Sequence, residues 1–100
     1  MNPTDQINDM ATLRARIDQL DEQLVDLLAQ RHALIDCAAR IKSKQGLPAR
    51  IDDRVREVVT NVGDHAEARG LDRTLIESLW SQMVEAAIAQ EDAYLNGETR

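Results

Sequence analysis

One hundred residues with a net charge of −6, a hydrophobic fraction of 43%, no Phe, one Trp and one Tyr describe a single small domain with an aliphatic core. Four Gly and two Pro leave little material for tight turns, which disfavours hairpins and fits packed helices. The acidic balance without a basic stripe excludes nonspecific nucleic-acid binding, and no stretch approaches the roughly 18 apolar residues of a membrane span.

The opening segment, MNPTDQINDM, has neither the basic region nor the apolar run of a secretory signal. Cys37 has no second cysteine to bridge to and reads as a small hydrophobe in a reducing compartment, so a cytoplasmic location is expected. Residues 1–8 are polar, contain Pro3 and are expected to fray.

A first helix is predicted from Asn8 or Asp9 to Lys44, with Asp9 or Thr12 as its cap. Its seam reads Met10, Leu13, Ile17, Leu20, Leu24, Leu27, Arg31, Leu34, Ala38, Ile41, in alternating steps of about 3 and 4 that keep one stripe towards a partner. Val25, Leu28 and Ile35 widen the stripe, so more than one helix packs on it. At about 1.5 Å per residue the helix is about 50 Å long, against the roughly 26 Å diameter of a compact domain of this size. It therefore needs a second chain to cover it.

Gln45-Gly46-Leu47-Pro48 ends that helix, and a second begins near Asp52, where Asp52 and Asp53 suit the positive end of the dipole. Its inner face is Ile51, Val55, Val58, Val59, Val62 and Ala66, and Arg54 flanks that face. β-Branched residues and Gly63 make it a weak helix that tertiary packing must hold. Gly70 stops it and Asp72 caps a third helix over Arg73–Leu95. The third helix turns Leu75, Ile76, Leu79, Trp80, Met83, Val84, Ala87, Ile88 and Glu91 inward. The domain thus spans residues 1–100, with its core in 9–95.

Two slots break these faces. Arg31 is the one charged residue of the first seam, and a guanidinium there needs an anion. Lys42 points within about 20° of Arg31 and lies about 16 Å further along the axis. Glu91 falls within about 20° of both Trp80 and Val84; a carboxylate there is either wet or buried and paired. Arg14 follows seam residue Leu13, about 25 Å from Arg31 along the axis and about 100° out of phase, so the two meet only if Arg14 comes from another chain. Singly, each cation reads as a snorkelling or surface residue, and Trp80 as core. Together with Arg54 they suit a small dicarboxylate. His32 and His65 have polar surroundings and no assigned role, and the sequence holds no metal-ligand spacing or Gly-rich phosphate loop.

With LRARIDQLDEQLVDLLAQR, AARIKSKQGLP and DDRV in this order, followed by the third helix, the chain resembles the all-helical chorismate mutases and the related isochorismate-pyruvate lyases over residues 9–95. The resemblance implies three helices per chain, an intertwined homodimer with two equivalent sites, and no cofactor or metal. It implies that Arg31 and Arg14 of the partner subunit clamp the two substrate carboxylates. By the same resemblance Lys42 bonds the ether oxygen of the breaking C–O bond and a carboxylate, Ile51 offers its backbone N–H, and Arg54 matches the arginine at the start of the second helix. Three positions depart from the best-known bacterial mutases: Val55 stands where they carry a hydroxyl-binding Glu, Ala87 where a Ser is common, and Glu91 where most carry Gln. An apolar residue at Val55 resembles the lyases, and Glu91 resembles the fungal mutases.

The activity expected is therefore chorismate mutase, with Lys42, Glu91 and Arg31 catalytic and Arg14, Ile51, Arg54, Val55 and Ala87 completing the substrate site. The rivals are an isochorismate-pyruvate lyase, an amino-chorismate mutase, or a non-catalytic helical dimer with a regulatory or interaction role.

Overall fold

A computed structural model describes residues 3–97. It contains a 3-10 turn at Pro3–Gln6 and three α-helices, α1 (Met10–Gln45), α2 (Asp52–Ala68) and α3 (Arg73–Leu95), with no strand among the described residues. The all-helical reading is correct, and the helix ends fall within two residues of those expected. The 3-10 turn departs from the fraying expected over residues 1–8, because Pro3 presets the backbone angle for such a turn. Of that stretch, residues 1–2 lie outside the described residues. No described helix is long and apolar enough to cross a membrane. The chain divides into two compact units, Met1–Ala33 and Leu34–Arg100.

In the first unit, α1 starts on an Asp9 cap. The Thr12 N–H donates to Asp9 Oδ1 at 2.7 Å and the Thr12 hydroxyl to Asp9 Oδ2 at 2.8 Å. These two bonds, the backbone one first, hold the Asp9 carboxyl below its ordinary value, because both favour the anion. Of the two cap candidates, Asp9 is the acceptor and Thr12 supplies its donors. Beyond the cap, Leu20, Leu24 and Leu27 are 58%, 57% and 58% exposed. A leucine stripe this open is what the seam leaves when a single chain supplies nothing to bury it.

In the second unit, Gly46 takes φ +68° just past α1, and the Leu47 N–H donates back to the Lys42 carbonyl at 2.9 Å. This satisfies one of the orphaned carbonyls at the helix end. Gly70 (φ +72°) closes α2 in the same way, with the Leu71 N–H on the Ala66 carbonyl at 2.9 Å. Asp72 then caps α3, its side chain accepting from the N–H groups of Thr74 and Leu75. α2 begins differently: Ile51 occupies the cap position in extended conformation without a side-chain bond, and Asp52 and Asp53 supply charge to the first turn instead.

α2 and α3 pack against each other around Ala49, Val84 and Ile88, with Val55, Val58 and Leu95 against that cluster. Within this unit α1 meets α3 along a line other than the seam. Ala39 is completely buried and Ile35 and Lys42 are half-buried, while Leu34 and Ile41 stay exposed. Asp36 accepts from Gln90 at 2.6 Å on the same side. The helices are joined there by side chains, Asp36 to Gln90 and Lys42 to Glu91, and the larger seam residues Leu34 and Ile41 are left facing outward.

Candidate active site

Lys42 sits in the last turn of α1, where a cation also suits the negative end of the helix dipole. Its ammonium donates to the Ala49 carbonyl at 2.7 Å and to Glu91 Oε2 at 2.9 Å. The side chains of Lys42 and Glu91 are 18% and 6% exposed. Glu91 is therefore the buried and paired carboxylate of the two alternatives, and the only buried polar side chain among the described residues. An ion pair this dry is costly unless each member is well partnered, and both are. Glu91 lies on the α3 face that carries Val84 and Ile88, so the packing that buries those two carries the carboxylate in with them.

Around this pair the second unit places the other candidates with unequal closeness. Ala87 is half-buried one turn before Glu91 on α3. Val55 is half-buried and packs on the Ala49, Val84 and Ile88 cluster. Ile51, as the cap of α2, has an N–H outside the helix's own ladder, and its carbonyl receives the N–H groups of Arg54 and Val55 at 3.0 and 3.1 Å. Arg54 is exposed and pairs with Glu57 on its own helix. Arg14, exposed, and Arg31, half-buried, belong to the first unit.

Two features escaped the sequence reading. The first is the Ala49 carbonyl, a backbone acceptor with no side-chain signature. The second is Arg73, whose guanidinium bonds Asp64 at 2.9 Å, Glu67 at 3.1 Å and Glu77 at 3.1 Å and so ties α2 to α3. Those carboxylates, Glu67 first, hold it well above the usual arginine value. Gly63 makes room for this clamp: a Cβ there would stand 2.7 Å from Arg73 Nε and 2.7 Å from Glu77 Oε2. The helix-weakening residue of α2 is thus a close-approach residue. Trp80 is half-buried and lines, with Val62, Ala66, Ile76 and others, an apolar recess of about 270 Å³ that holds none of the candidate residues.

The Lys42–Glu91 pair can bring an ammonium and a carboxyl group to one atom of a ligand. That arrangement suits a reaction in which negative charge develops at one atom and no nucleophile is required.

The family profile described as "Chorismate mutase type II" matches residues 13–92. The chain is 30% identical to the T-protein of Enterobacter agglomerans over 86 residues, which is 86% of this chain and 23% of that protein. It thus spans about a quarter of that relative. It is 30% identical to the 4-amino-4-deoxychorismate mutase of Streptomyces venezuelae over 92 residues, covering 92% of this chain and 89% of the relative. It is 31% identical to the isochorismate pyruvate lyase of Pseudomonas aeruginosa over 86 residues, covering 85% and 83%.

Proposed function

The chain belongs to the chorismate mutase type II family, and we propose that it converts chorismate to prephenate as a cytoplasmic homodimer. The observation that carries this reading is the Lys42–Glu91 pair at 2.9 Å, the one charged site with a buried carboxylate among the described residues. The rearrangement breaks a C–O bond and forms a C–C bond within one molecule. It needs no base and no nucleophile, only a compact conformer and charge where the ether oxygen turns negative.

Lys42 donates to that oxygen, and Glu91 faces the same oxygen. The Glu91 side chain is held beside that oxygen by its bond from Lys42. Arg31 and Arg14 of the partner subunit clamp the carboxylates, which gives the exposed stripe of α1 its occupant, a second copy of the chain. Arg54 and the Ile51 N–H complete the polar rim, and Val55 and Ala87 pack on the substrate ring. No cofactor takes part.

A second reading, isochorismate pyruvate lyase, is favoured by Val55, an apolar side chain seated in the Ala49, Val84 and Ile88 cluster. Assays of the purified protein with chorismate, isochorismate and 4-amino-4-deoxychorismate separate these activities, and prephenate formation is expected. Arg14→Ala and Arg31→Ala should each nearly abolish turnover. Mixing the two with subunit exchange should restore it, because each mixed dimer holds one site with both arginines. Inactivity towards all three substrates would leave a helical dimer without catalysis. Exchange without recovery would place Arg14 outside the partner's site.

A further inference from the structure

Lys42 is tied to the segment that follows α1 at both ends of the residue. Its carbonyl receives the Leu47 N–H at 2.9 Å, and its ammonium donates to the Ala49 carbonyl at 2.7 Å. The same ammonium donates to Glu91 at 2.9 Å. An ammonium has three donors, so the Ala49 carbonyl and Glu91 leave it one. The two acceptors differ in kind. Glu91 is a side chain that can rotate, whereas a peptide carbonyl is fixed in the backbone. Ala49 itself is 4% exposed and joins Val84 and Ile88 in the buried cluster, so its methyl locks the backbone that carries the carbonyl. A free lysine stem has several rotatable bonds, and fixing them before a ligand arrives removes an entropic cost from the reacting complex.

We infer that Ala49 is a positioning residue: its carbonyl anchors the Lys42 ammonium so that the third donor points at the ligand. This rests on the reading of Lys42 as the cation that meets the ether oxygen. The anchor stays in place when the Glu91 side chain turns towards a ligand. It also explains a small residue at 49: a larger side chain in that cluster would push the carbonyl away from the ammonium.

An ester linkage between Ala49 and Arg50 weakens this carbonyl as an acceptor and alters no side chain. The 100-residue chain is open to assembly by ligation at Cys37 with Lys42 carrying a ¹⁵N ammonium. The ammonium protons of Lys42 in the ligand-free protein should exchange with water about tenfold faster in the ester variant, at unchanged helix content. With chorismate, kcat should fall about tenfold while KM changes less, since the contact strengthens in the transition state. Ala49→Gly keeps the carbonyl and removes the methyl that locks it, and should speed exchange by about threefold. If the ester variant does not fold, Ala49→Gly decides alone. Unchanged ammonium exchange in a folded variant overturns the proposal. Faster exchange in a protein that turns over none of the three substrates upholds the anchor and removes the reaction.

Discussion

Two charged clusters of the second unit, one around Lys42 and one around Arg73, each set a cation against carboxylates, and they do different work. At one, Lys42 and Glu91 are nearly dry and meet one to one, with a backbone carbonyl as the third party. At the other, Arg73 is 31% exposed and collects three carboxylates, two of them well exposed. The exposed cluster saturates its cation with anions and spans two helices, which makes it a fastener. The dry cluster leaves a donor unspent in a place where water competes poorly, which makes it a site. Burial decides between the two roles, because a spare donor at the surface is simply hydrated.

The largest test of that contrast is Lys42→Met. It should lower kcat/KM for chorismate by about a thousandfold, as expected when a donor to a developing oxyanion is lost. It should also destabilise the fold by about 3 kcal/mol by urea denaturation, because it strands a buried carboxylate. Glu91→Ala removes the facing group and should lower kcat/KM by about a hundredfold. Glu91→Gln keeps the shape and supplies a permanent N–H donor, so its activity near neutrality should match or exceed that of the natural protein. Unchanged kcat/KM in Glu91→Ala would take Glu91 out of the chemistry.

The fastener should respond in the opposite way. Arg73→Ala removes the tie between α2 and α3 and should lower the thermal midpoint by several degrees while kcat/KM stays within about twofold. A catalytic loss as large as that of Glu91→Ala would mean that the two clusters are coupled. The smallest effect is expected of Gly63→Ala. The new methyl displaces the ends of Arg73 and Glu77, and the gain in helix propensity offsets this, leaving stability within about 1 kcal/mol by urea denaturation.

Much of this was legible in the one-dimensional pattern, for reasons that differ between elements. Gly46 and Gly70 adopt the positive φ that their places after α1 and α2 require, and Asp72 caps α3. Such end signals act over a few residues, so spacing alone exposes them. Lys42 and Glu91 stood out because each was a charge on an apolar face, and a misplaced charge needs an explanation wherever the chain folds. The close approach at Gly63 was not legible, because it depends on Arg73, ten residues away and on another helix.

The three helices, their stops and the suspicion that falls on Lys42 and Glu91 are thus properties of local order and periodicity. Tertiary structure decided which side of α1 meets α3, since the 3-and-4 spacing defines the seam through Leu34 and Ile41 but does not say whether that stripe turns inward. In the folded chain Ala39 lies inside and the leucines outside. It also decided that the Lys42 ammonium rests on the Ala49 carbonyl, because a peptide carbonyl is present at every residue and only packing selects the one that a distant side chain will meet.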